Sequence, residues 1–257
     1  MEQLFIIKIG GNVIDDDASF RSFLKRFSEI PQKKILVHGG GKIATETGKK
    51  LQIESKYVDG RRITDDDTID LVTMVYGGLI NKKAVALLQS YGCNAMGITG
   101  ADANLLPADK RPVKAIDYGW VGDPVIEKVP AGIWKVLIDQ GIVPVAAPLT
   151  HDGAGHILNT NADTIASVLA RALASQFDTS LIYCFEKKGI LTDINDENSF
   201  LKKLDENLFN QLKEENKLFA GILPKLQNAF EAIHSGVKNV IIGSADELKM
   251  MLQGEAG

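Results

Sequence analysis

Leu4-Phe5-Ile6-Ile7-Lys8-Ile9-Gly10-Gly11-Asn12 is a run of apolar residues broken by one lysine and closed by two glycines. A short run that is apolar at nearly every position has no polar face to turn to water. It reads as a parallel strand buried on both sides. Gly10-Gly11 then marks a sharp turn into a helix. In open α/β sheets, ligands bind outside the carboxyl ends of such strands, and glycine N–H groups at a helix start cradle phosphate. Lys8 adds a point of positive charge beside that turn. The same residues also suit a plain turn beside a solvated lysine, so the stretch fixes a fold class before it fixes a site.

Outward from this strand the pattern repeats. Residues 34–37 end at His38-Gly39-Gly40-Gly41, and residues 95–98 end at Thr99-Gly100. Residues 142–146, 180–185 and 239–242 complete a set of short apolar runs. Helical spacing is expected over 15–28, 43–51, 64–77, 163–174 and 224–235, with Thr64 as an N-cap ahead of Asp65, Asp66 and Asp67. Strand–helix alternation predicts a mostly parallel sheet with helices on both faces. Residues 104–130, rich in proline and glycine, read as edge hairpins. Asn195 to Asn198 reads as a turn, and 204–216 as an exposed helix.

The chain has 257 residues, 45% of them hydrophobic, and a formal net charge of −4. No basic surplus favours nucleic acid. The two cysteines, Cys93 and Cys184, make neither a disulfide framework nor a zinc site, and free thiols in a reducing cytosol are expected. The apolar start lacks a basic lead, and no stretch of about 20 apolar residues stands out. A cytoplasmic protein bound to neither membrane nor nucleic acid is expected.

Four further motifs carry chemistry. Three glycines at 39–41 let a backbone pass close to a ligand. His38 beside them reads better as a packed histidine than as a base or metal ligand. Asp59-Gly60-Arg61-Arg62-Ile63-Thr64 offers a guanidinium suited to a carboxylate. Asn159-Thr160-Asn161-Ala162-Asp163 opens a buried helix with more capping residues than one helix needs. Gly221-Ile222-Leu223-Pro224-Lys225 places a cation near a helix N-terminus, where the dipole opposes it unless an anion arrives. No GxxxxGK[ST] loop occurs.

Taken in order, KIGGN at 8–12, VHGGGK at 37–42, DGRRIT at 59–64, NTNAD at 159–163 and GILPK at 221–225 resemble the amino acid kinase family, across essentially the whole chain. The ordered set looks like the branch acting on acylated glutamate. The resemblance implies a three-layer αβα sandwich around a mainly parallel, about eight-stranded sheet. It implies an acyl-amino-acid-binding and dimerising lobe at about 1–150 and a nucleotide-binding lobe at about 151–257. It implies transfer of a phosphoryl group from ATP, with Mg²⁺, to the side-chain carboxylate of N-acetyl-L-glutamate in arginine biosynthesis. N-succinyl-L-glutamate, another activity of the family, or a catalytically silent sensor stay open as alternatives.

By the same resemblance, Lys8 and Lys225 neutralise the transferring group and Asp163 organises them. Gly10 and Gly11 hold phosphate oxygens, Gly40 and Gly41 contact the acceptor, and Arg62 and Asn159 grip its carboxylate and acyl-amino end. Glu186, Gly189 and Leu191 stand where the family contacts nucleotide. There, relatives usually carry Ser/Thr-Asp-x-x-Gly, and this chain has Phe185-Glu186-Lys187-Lys188-Gly189. No metal-ligating residue is expected. The family's arginine-inhibited hexamers carry an extra N-terminal helix ahead of the first strand. Leu4 already lies in the strand here, so a homodimer insensitive to arginine is expected.

Overall fold

The computed structural model describes residues 1–58, 60–186, 189–191, 199–215 and 223–257. Asp59, Lys187, Lys188, the turn at 195–198, and Gly221 and Ile222 of the last motif lie outside them.

The six apolar runs are six parallel strands of one sheet. They are β1 (Gln3–Ile9), β2 (Lys33–His38), β3 (Ala95–Ile98), β4 (Val143–Ala146), β5 (Asp178–Phe185) and β6 (Asn239–Ser244), in the order β6-β5-β1-β2-β4-β3. β1 sits between β5 and β2, with Lys8 level with Tyr183 on one side and Val37 on the other. The chain leaves β1 toward β2 and returns later to its opposite edge as β5. The crevice at the carboxyl ends therefore opens beside β1.

Side chains alternate between the faces of the sheet. On one face Leu4, Ile6, Ile35 and Val37 meet α4 (Ala131–Asp139), α5 (Ala162–Leu173), α6 (Glu206–Glu214) and α7 (Leu223–His234). On the other, Phe5, Ile7, Ile9 and Leu36 meet α1 (Asp17–Ser28), α2 (Gly41–Lys50), the helix α3 (Asp66–Ser90) and α8 (Leu248–Gln253). Phe20, Phe23, Leu24 and Phe27 recur at helical spacing and are all buried, which is what holds α1 down. The three layers follow from two apolar faces that must both be covered.

Several details differ from the sequence expectation. Six strands, not eight, form the central sheet among the described residues. The remaining extended segments pair two by two as antiparallel pieces of two or three residues, too short to add rungs. The expected edge hairpins reduce to one, Ala108–Lys110 against Gly122–Pro124. Asp65, not Thr64, caps α3, accepting the Thr68 N–H at 3.0 Å. Thr64 is fully buried instead. α3 does not stop at Gly77. It runs through a π-helical stretch, Thr73–Ile80, to Ser90. Gly77 lies where the helix passes Leu149 and Thr99, so it marks close packing, not an end. This helix is long and apolar enough to cross a membrane by composition, but Leu71, Val72, Val75, Ile80, Ala84 and Leu88 are buried in the core. α6 is exposed on one face only, since Phe209 and Leu212 are buried. Both cysteines are buried free thiols.

Candidate active site

Lys8 shares the face of Leu4 and Ile6, so period two aims it at α5 and α7. There its Nζ lies 2.7 Å from Asp163 Oδ1. Lys225, in the first turns of α7, is bonded to the other oxygen, Oδ2. One carboxylate thus holds two ammonium groups from opposite ends of the chain. Asn161 is the cap of α5, accepting the N–H groups of Asp163 and Thr164, which leaves Asp163 in the first turn with its side chain free for the lysines. The buried Tyr183 hydroxyl donates to the Asp163 carbonyl at 3.2 Å and fixes this turn on β5. The sequence did not single out Tyr183. Its level pairing with Lys8 comes from strand order and register, which the sequence does not show.

Burial works to raise the Asp163 carboxyl, but the charges of Lys8 and Lys225 and their hydrogen bonds outweigh it, and the group stays below its ordinary value. The triad is two cations and one anion. Its net positive charge is only partly exposed, with 13% of the Lys8 side chain and 29% of Lys225 open. An unbalanced charge at a half-dry site is suited to an anion.

The glycine loops close in on this charge. A Cβ at Gly10 would stand 2.7 Å from Lys8 Nζ, and one at Gly39 would stand 3.5 Å from the Gly10 Cα. The Gly39 N–H donates to the Ile9 carbonyl at 2.9 Å, so the two loops lie side by side. Gly11 has φ 57°, and Glu186 Oε1 lies 3.6 Å from where its Cβ would be. The departure from the family pattern at 186 therefore faces the loop. Burial pushes the nearby Asp15 carboxyl up, with Lys42 acting against this and Glu46 and Glu186 adding to it. Gly189 packs on Phe200, and Leu191 ends the short strand that pairs with Phe200–Leu201.

Gly40 caps α2 without any side-chain bond, leaving the first N–H groups of a ten-residue helix to point outward. Its φ is 144°, and a Cβ would stand 2.2 Å from Ile80 Cδ1. Gly40→Ala is expected to cost about 1–3 kcal/mol, measured by denaturant unfolding.

Arg62 is 7% exposed. It donates to the Gly41 carbonyl and Thr45 Oγ1, both at 2.9 Å, and to Ser55 Oγ, and it lies over the Tyr57 ring. Every one of these partners is neutral, and among the described residues no carboxylate pairs with it. Asn159 joins it through Thr64. The Asn159 Nδ2 donates to Thr64 Oγ1 at 3.0 Å, and Thr64 Oγ1 donates to the Arg62 carbonyl at 3.3 Å. The residues expected to serve the acceptor, Gly40, Gly41, Arg62 and Asn159, are thereby one connected group, and Gly39 joins it to the lysine triad. His38 belongs to neither. It is fully buried, and burial pushes its pKa down to about 4, so it is a packed neutral imidazole.

The Amino acid kinase family matches residues 3–244 of this sequence. The chain belongs to the amino acid kinase family. Within the family it is 54% identical to the acetylglutamate kinase of Cytophaga hutchinsonii over 249 residues, covering 96% of this chain and 94% of that protein. It is 53% identical to the acetylglutamate kinase of Parabacteroides distasonis, covering 96% of each chain. Among solved structures, smu.665 from Streptococcus mutans UA159 superposes with a TM-score of 0.77 at 26% identity, over 93% of this chain and 94% of that one. Membership of the family agrees with the parallel sheet and with the glycine loops at its carboxyl end.

Proposed function

We propose that this protein transfers the γ-phosphoryl group of ATP to the side-chain carboxylate of N-acetyl-L-glutamate, yielding the acyl phosphate and ADP, a step of arginine biosynthesis. The observation that carries the reading is the pairing of two sites through adjoining glycine loops. One is a two-lysine cluster held by Asp163. The other is a buried arginine whose partners among the described residues are all neutral. The name shared by relatives that match over nearly the whole chain supports the same acceptor.

Phosphoryl transfer needs in-line placement and positive charge around the moving group, with little covalent help from protein. A carboxylate oxygen of the acceptor attacks phosphorus as the bond to the ADP oxygen breaks. The acceptor is already ionised at neutral pH, so no general base is required. Lys8 approaches from the β1 side and Lys225 from α7, and together they neutralise the equatorial oxygens. Asp163 keeps the ammonium groups apart and aimed. Gly10 and Gly11 offer N–H groups to phosphate, and Gly40 and Gly41 pass close to the acceptor. Arg62 grips the α-carboxylate, with Asn159 at the acyl-amino end. Glu186, Gly189 and Leu191 lie on the nucleotide side. This gives an acceptor lobe at about 1–150 and a nucleotide lobe at about 151–257.

The described residues contain no cluster of three or more His, Cys, Asp or Glu side chains that could hold a metal. Mg²⁺ is read as arriving on the nucleotide phosphates with its own water ligands, the ion's usual habit. When bound, it supplies further neutralisation of the phosphate charge.

The test is ADP release with MgATP and a panel of N-acetyl-L-glutamate, N-succinyl-L-glutamate, free L-glutamate, L-aspartate and UMP. Turnover on N-acetyl-L-glutamate is expected. Preference for the succinyl compound would change the acyl group, and turnover only on the last three would remove the acceptor assignment. Arg62→Lys is expected to raise KM for the acceptor roughly 10- to 100-fold with a smaller change in kcat, because a point charge cannot make two parallel bonds to a carboxylate.

The protein is further read as a cytoplasmic homodimer. The support for a dimer is on α3, where the apolar side chains Met74 and Leu79 remain more than half exposed. Sedimentation is expected to give a dimer, and a Met74→Glu, Leu79→Glu variant a monomer.

A further inference from the structure

His38 and Asn81 are a buried polar pair that the transfer chemistry does not use. His38 ends β2 on the face opposite Lys8, and it is 0% exposed, with Asn81 at 1%. The imidazole Nδ1 lies 2.8 Å from the carbonyl oxygen of Gly39, the next residue. A carbonyl can only accept, so Nδ1 carries the proton and Nε2 is left as an acceptor. Asn81 Nδ2 donates to that Nε2 at 3.1 Å and to the Val145 carbonyl of β4 at 2.9 Å. The amide orientation and the imidazole tautomer therefore follow from one another.

The Asn81 amide oxygen has no hydrogen-bond partner among the described residues and lies against Gly97 of β3, where a Cβ would come within 1.8 Å of it. Asn81 also stands where the π-helical stretch of α3 gives way to regular helix. Such stretches re-aim the residues that follow and are frequent beside functional sites. The residue before it, Ile80, presses on Gly40. Two successive residues of α3 thus act on the triple-glycine loop. Ile80 does so by contact, and Asn81 through His38 and the Gly39 carbonyl.

We propose that Asn81 and His38 are positioning residues that set the backbone of Gly39, Gly40 and Gly41 for the acceptor, through an ordered relay from α3 to the loop. The inference rests on the acceptor assignment above. A peptide plane fixed at Gly39 fixes where the next N–H groups point. A misplacement of about 1 Å at a reacting centre can cost on the order of 10²-fold in rate.

The experiment compares Asn81→Leu, His38→Asn and His38→Gln. Asparagine keeps a donor where Nδ1 stands and loses the acceptor for Asn81. Glutamine keeps an acceptor for Asn81 and loses the donor to Gly39. Asn81→Leu and His38→Gln are expected to lower kcat/KM for the acceptor roughly 10- to 100-fold, while the Kd for nucleotide stays within about twofold. His38→Asn is expected to retain more activity than His38→Gln. A second arm needs no turnover. In a nitrogen-15 spectrum of the whole protein, the amide signals of residues 39–41 should move in Asn81→Leu and move less in His38→Asn. Equal losses in both His38 variants, tracking their melting temperatures, would overturn the relay. So would unmoved loop signals. If the wild-type protein turned over no acylated glutamate, the functional reading would fail while the spectra still decided the relay.

Discussion

Lys8→Ala is expected to lower kcat by about 10²- to 10³-fold at saturating ATP and acceptor, the loss typical of removing one preorganised donor from a developing negative charge. The geometry explains why the loss should fall on kcat. Lys8 is bonded to Asp163 and faces the Gly10 turn, so its charge is fixed before any ligand arrives. Under the proposed function, such a group would stabilise the transferring phosphoryl group more than the ground-state nucleotide. Lys8→Arg should not rescue. The Gly10 backbone is so close that even a Cβ there would stand 2.7 Å from Nζ, and a planar guanidinium needs more space. Steady-state kinetics on the three proteins checks this. A kcat within threefold of wild type in Lys8→Ala would remove Lys8 from the transfer step.

Asp163→Asn is expected to have the second large effect, and to reach stability as well as rate. The substitution leaves two ammonium groups converging on a neutral amide at a site where only 13% of the Asp163 side chain is exposed. Breaking a buried ion pair costs about 3–5 kcal/mol, and the lower end applies because Lys225 is partly open to water. For a chain of this size, ~3 kcal/mol corresponds to roughly 6–12 °C in melting temperature. The pH dependence has a definite sign. The folded carboxyl titrates below 3.8, so its stabilisation is complete above that value and is lost as the pH falls through the depressed one. The gap between wild type and variant should therefore be widest near neutrality and close in acid below about pH 4. MgATP should raise the melting temperature of the variant more than that of wild type, because phosphate restores the missing negative charge. Calorimetry at two pH values, with and without nucleotide, reads all three effects.

The parts of this molecule legible in its sequence are those governed by local rules. A buried parallel strand must be apolar on both faces, so runs such as Leu4 to Ile9 and residues 180–185 announce themselves. Glycines at strand ends mark the turns toward the crevice. The ordered motifs then place the site residues. Asp163 is one of four capping-type residues in NTNAD, and no local rule says which one caps. The structure gives the cap to Asn161 and frees Asp163 for the lysines.

The misreadings share a cause. Thr64 has the chemistry of a cap, but its hydroxyl is committed to Arg62 and Asn159, and the cap falls to the next residue, Asp65. Gly77-Gly78 looks like a helix end, yet α3 continues because tertiary contacts hold it and the glycines admit close packing. Propensity is a weak prior where packing decides.

The sequence by itself determined the strand set, the layered architecture, the glycine turns and the residue types at the site. These depend on the period of burial and on backbone freedom, both properties of neighbours along the chain. Only the tertiary structure decided that Lys8 and Lys225, 217 positions apart, share one carboxylate. It also decided that Arg62 meets only neutral partners among the described residues, and that His38 answers to Asn81 from a different layer. Those facts belong to groups brought within a few ångströms by strand order. Coulomb energy and hydrogen bonding fall off with distance in space, and separation along the chain does not enter them.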